Sequence, residues 1–142
     1  MSYGLQSYKT SKATTASKED LLIMLYEGAV RFLELSITEM EAKHLAEHKM
    51  YLRKGLAIIS ELQSTLDFQK GGEVAIMLFE LYGFMLEYLT QANLTKDVSY
   101  IREVITQLNT LLEGWRVAIK QVKAGAVMAT GVAPARTISK SL

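Results

Sequence analysis

Residues 17–40 read SKEDLLIMLYEGAVRFLELSITEM, and this stretch decides the fold. Ser17 followed by Asp20 resembles a capping box with aspartate in place of glutamate, set just before the first apolar residues. Leu21, Leu22, Leu25, Ala29, Phe32, Leu33, Ile37 and Met40 then recur at helical spacing. The chain's only proline is Pro134, so no proline breaks this pattern or any before it. The spacing predicts a first helix over 17–43.

The same periodicity returns three times further along. Leu52, Leu56, Ile59, Leu62 and Leu66 mark a second helix over 46–68, stopped by the turn signal Lys70-Gly71-Gly72. Leu78, Leu81, Tyr82, Met85, Leu89 and Ala92 mark a third, ended by Asn93. Asp97 caps a fourth, whose apolar positions are Ile101, Ile105, Leu108, Leu112, Trp115, Ile119 and Val122. Short connections force consecutive helices to lie antiparallel, so the expected fold is all-α, an antiparallel four-helix bundle over 17–123. Residues 1–16 read as a flexible polar arm with two apolar anchors, Leu5 and Tyr8. Residues 124–142, rich in Ala, Gly, Thr and Ser, read as a mobile tail.

Composition narrows the function. A chain of 142 residues suits one domain, and 49% hydrophobic with 22% charged residues is the balance of a soluble globular protein. A net charge of +1 lacks the basic excess that drives binding to nucleic acid. The absence of cysteine removes disulfides, thiolate zinc sites and cysteine nucleophiles, and fits a reducing compartment. The polar start is no secretory signal, and no membrane span is expected, because Glu27 and Glu80 interrupt the longest apolar runs.

One motif resembles catalysis. His44-Leu-Ala-Glu47-His48 fits the H-x-x-E-H pattern, in which two histidines one turn apart hold zinc and the glutamate polarises a bound water. These are the only histidines, so a third ligand would have to be an unidentified carboxylate. The plainer reading is a polar inter-helix turn carrying two solvated histidines. Glu41 and His44 form half of a di-iron signature without a second half, and Lys70-Gly71-Gly72 lacks the frame of a phosphate loop. No metal, cofactor or catalytic residue is therefore assigned.

What stands out is surplus apolar surface. Residues 21–26 and 74–79 point hydrophobic groups all round their helices, which must be covered by neighbours or by something that arrives later. Gly28, Gly55, Gly83 and Gly114 fall one in each helix interior, marking close helix approach or a shallow channel. Met24, Met77 and Met85, among seven methionines, suit a surface that repacks around a partner.

The residues also resemble a known family. Tyr8, residues 13–17 (ATTAS) and residues 22–33 (LIMLYEGAVRFL) are similar to the opening signature of the flagellin-specific export chaperones, the FliS family. Residues 64–67 (STLD), 71–75 (GGEVA), Leu81-Tyr82, residues 91–93 (QAN), Lys96-Asp97, Glu103-Val104 and Trp115 follow in the family's order and spacing. The likeness covers about residues 5–123. Lys18 departs from the family's usual proline, and Gln63 from a common methionine.

The resemblance implies a cytoplasmic, non-enzymatic chaperone. It would bind the C-terminal segment of flagellin, prevent premature polymerisation, and deliver that client to the export gate of the flagellar type III apparatus. The candidate partner-binding residues are Leu5 and Tyr8 in the arm, Leu22, Leu25 and Tyr26 on the first helix, and Leu78, Tyr82 and Met85 on the third. The free chain is expected to be a monomer or weak homodimer. A helical scaffold without a dedicated client and a small zinc peptidase are the alternatives.

Overall fold

Ser17 begins the fold as its spacing predicts. Its hydroxyl accepts from the Asp20 backbone N–H at 3.0 Å while the Asp20 carboxylate reaches back to the Ser17 N–H at 3.4 Å. A computed structural model describes residues 17–128, with side chains described through residue 122. Helix α1 spans Lys18–Glu41, α2 Leu45–Ser64, α3 Phe68–Thr95 and α4 Ser99–Met128. The described residues contain no strand. The arm, with Leu5 and Tyr8, and residues 129–142 lie outside the described residues.

The boundaries differ from the sequence reading at four places, each for a local reason. Helix α1 stops at Glu41, two residues early, and Lys43 turns the chain with φ 64°. Helix α2 stops at Ser64 rather than Phe68, where the Ser64 and Thr65 hydroxyls fold back onto the Glu61 carbonyl and compete with continued helix. Asp67 then caps Lys70 at 3.0 Å and starts α3 ahead of the glycines. The Gly71-Gly72 signal is thus a kink inside α3, at Gly72 with φ 54° and ψ −129°, a conformation that favours glycine. At the far end α4 continues past Lys123 to Met128, through alanines that sustain a helix without an apolar stripe.

The four helices close into a ring in which α1 packs on α2 and α4, and α3 packs on α2 and α4. Every neighbouring pair is antiparallel, as the cross-contacts show. His48 at the start of α2 bonds to Ser36 near the end of α1. Gln63 at the end of α2 bonds to Phe79 early in α3. Tyr88 late in α3 meets Tyr100 at the start of α4, edge to face at 5.3 Å. Between α1 and α4, Glu27 pairs with Arg116 at 2.5 Å and Glu41 with Arg102 at 2.8 Å. The inner stripes of all four helices, including Leu33, Ile59, Leu89 and Leu108, form one core. Helices α1 and α2 approach closely because Gly55 has no side chain; a Cβ there would stand 2.6 Å from Leu33 Cδ2.

Candidate functional site

Apolar surface is the feature to account for, and the two surplus runs have different fates. Along α1, Leu21, Leu22 and Ile23 are partly buried against the core, and Leu25 and Tyr26 are inside it. Neighbouring helices cover most of that run. Along α3, only Ala75 and Leu78 of residues 74–79 point inward. Val74, Ile76, Met77 and Phe79 face outward, with Met77 65% exposed and Ile76 52% exposed. Phe68 packs on Phe79 at 5.8 Å between ring centres, and Phe84 on Tyr88 at 4.4 Å, yet Phe68, Phe79 and Phe84 remain exposed. The outer face of α3 is therefore an apolar surface that the bundle does not cover.

The candidate residues fall into three places. Leu5 and Tyr8 lie outside the described residues. Leu25, Tyr26, Leu78, Tyr82 and Met85 are core residues, from 0% to 7% exposed. Leu22 is partly exposed, and with Leu21, Leu25 and Leu62 it lines a shallow cleft at one end of the bundle. Sequence reading flagged residues 74–79 and Met77 as surplus apolar surface but did not name Ile76, Met77, Phe79 or Phe84 among the partner-binding residues. The signal was present: these are the apolar positions out of phase with the inward stripe Leu78, Tyr82, Met85 and Leu89.

Inside the core, polar groups from three helices meet. The hydroxyls of Tyr26 and Tyr82 hydrogen-bond each other, with ring centres 6.4 Å apart. The Trp115 indole N–H lies toward the Tyr26 oxygen but falls short of good hydrogen-bond geometry. Burial pushes the Tyr82 phenol up, reinforced by its neighbour Tyr26. Burial also raises Tyr26, with Tyr82 and Trp115 holding the shift back. Both phenols are held neutral.

The H-x-x-E-H pair is divided by the fold. His44 is exposed, and its Nδ1 lies 2.7 Å from the Glu39 carboxylate. His48 is not solvated, contrary to the sequence reading: it is fully buried and its Nδ1 donates to the Ser36 carbonyl at 2.8 Å. The imidazole ties the start of α2 to the end of α1, while its Nε2 is buried without a partner among the described residues. Glu41 is engaged by Arg102. Among the described residues, no three His, Cys, Asp or Glu side chains gather as metal ligands would.

The family model for Flagellar protein FliS matches residues 1–122. The chain belongs to the FliS family. The Flagellar secretion chaperone FliS of Campylobacter jejuni is 36% identical over 110 residues, covering 78% of this chain and 86% of that protein. That of Salmonella typhimurium is 36% identical over 107 residues, covering 75% and 79%. That of Bacillus subtilis is 28% identical over 114 residues, covering 80% and 84%. At the departure from the FliS pattern noted at Gln63, the side-chain amide donates to the Phe79 carbonyl at 3.0 Å, a bond across the α2–α3 seam that methionine could not make.

Proposed function

We propose that the chain is a cytoplasmic flagellar export chaperone, without enzymatic activity, that binds the C-terminal segment of flagellin. It would hold that segment from premature polymerisation and hand it to the flagellar export gate. The observation that carries this reading is the uncovered apolar face of α3, with Ile76, Met77, Phe79 and Phe84 exposed on a helix that is itself well packed. An amphipathic segment, disordered when free, buries its apolar face on such a surface and gains helix as it binds. Family membership and relatives named flagellar secretion chaperones support the same role. Leu5 and Tyr8 of the arm add a contact to the client or the gate, and the free chain is a monomer or weak homodimer.

Calorimetric titration with a flagellin C-terminal segment tests this. A one-to-one complex is expected, with a negative heat-capacity change and gained helicity. Absence of binding at tens of micromolar overturns the reading.

A further inference from the structure

The seam between α2 and α3 has two chemically different ends. At one end Gln63 bridges to Phe79, beside exposed Phe68 and Ile76. At the other, Lys49, Leu52, Arg53 and Leu56 of α2 face Leu89, Thr90 and Asn93 of α3 across a cleft of about 320 Å³. Its floor is apolar, with Leu52 and Leu89 buried. Its rim is cationic, and no acidic residue lines it.

Two arginines on the opposite, α1–α4 seam are matched: Arg102 pairs with Glu41, and Arg116 with Glu27. Lys49 and Arg53, one turn apart, make no ion pair among the described residues. The Asn93 side chain likewise makes no hydrogen bond there, and the Thr90 hydroxyl, which donates to the Leu86 carbonyl, keeps its lone pairs. Two cations and an amide donor above an apolar floor match a carboxylate carried on an apolar helix.

We propose that Lys49 and Arg53 select and orient the client by taking a carboxylate side chain of its docked helix, whose apolar residues lie toward Phe79 and Ile76. The inference rests on the chaperone reading above. Arg53 and Gln63 are ten residues apart on α2, about 15 Å, so the carboxylate stands about three helical turns from the client's apolar anchors. The chain's own segments outside the described residues offer the cleft no carboxylate side chain. Their charged side chains are Lys9, Lys12, Arg136 and Lys140, all cations.

The test titrates a flagellin C-terminal segment, and the same segment with its Asp and Glu side chains changed to amides, into three forms of the full chain. These are wild type, Lys49→Glu/Arg53→Glu and Ile76→Ser/Phe79→Ser, each checked for native helicity by circular dichroism. The charge reversal is expected to lower affinity about tenfold at low salt, by a factor that shrinks as salt is added. The amide segment should lose a similar factor on wild type and little more on the charge-reversed chain, because both changes remove one interaction. Equal affinity of wild type and charge reversal for the acidic segment, with binding abolished by Ile76→Ser/Phe79→Ser, overturns the proposal and leaves the chaperone reading standing. Failure of wild type to bind either segment defeats both. If charge reversal instead changes only self-association in sedimentation, the cleft is a contact between copies and the proposal is wrong.

Discussion

Tyr26 and Tyr82 share a hydrogen bond across the diagonal of the bundle, between α1 and α3, helices that are not neighbours in the ring. A buried hydroxyl without a partner costs about 1–3 kcal/mol, so the pair resists removal of either half. Tyr26→Phe is expected to lower stability by about that much, because it strips both Tyr82 and Trp115 of their neighbouring oxygen. Tyr82→Phe should cost less, since Tyr26 keeps the approach of Trp115. The double variant should cost less than the sum, as urea unfolding of all four proteins will show.

The same pair sets a limit at alkaline pH. Both phenols have folded pKa values raised above the ordinary 10.0, so the folded state favours their neutral form. Their contribution is fully present below about pH 10, where the unfolded phenols are also neutral, and is lost as pH rises and the unfolded chain ionises. Unfolding free energies measured across this range should fall more steeply for wild type than for Tyr26→Phe/Tyr82→Phe.

The two histidines should behave differently despite sharing a motif. His48→Ala empties a buried site and removes the bond that ties α2 to the Ser36 carbonyl of α1, an expected loss of about 2–4 kcal/mol. His44→Ala removes an exposed contact with Glu39 and should change stability by no more than about 0.5 kcal/mol. Urea midpoints of the two variants check the contrast; equal effects would contradict the placement of His48.

Three glycines give a graded test by thermal unfolding. Gly55→Ala drives a methyl against buried Leu33 and is expected to destabilise by about 1–3 kcal/mol. Gly72→Ala meets open space but strains the backbone at φ 54°, also costing about 1–3 kcal/mol. Gly114→Ala meets nothing within 4 Å in a helix interior and should stabilise by about 0.5–1 kcal/mol.

The sequence carried the first and last helices well because each announces its own start: Ser17 with Asp20, and Asp97, whose carboxylate accepts from the Ser99 N–H at 2.9 Å and is held below its usual pKa. Periodicity likewise singled out the inward stripes. What it could not carry was the fate of residues facing the other way. Residues 21–26 and 74–79 look alike as strings, yet the first is largely covered and the second is not, because coverage depends on where neighbouring helices stand. For the same reason Tyr26, Tyr82 and Met85 read as a binding surface although they are core, and His48 read as solvated although Ser36 of another helix claims it. The Gly71-Gly72 break was legible as a change of direction, but Asp67 had already begun the helix.

The ring of helices also has a kinetic consequence. Three of its four seams join helices that follow one another along the chain, so short turns bring their partners together early. The seam between α1 and α4 joins residues as distant as Glu27 and Arg116, 89 positions apart, so its closure has the largest loop-entropy cost and is expected to come last. By the same reasoning it is expected to be the first to open. Amide protons on α4 should therefore exchange sooner than those at the α1–α2 interface, where Gly55 seats against Leu33. Transient opening at this seam would uncover the Tyr26, Tyr82 and Trp115 cluster without separating α1 from α2.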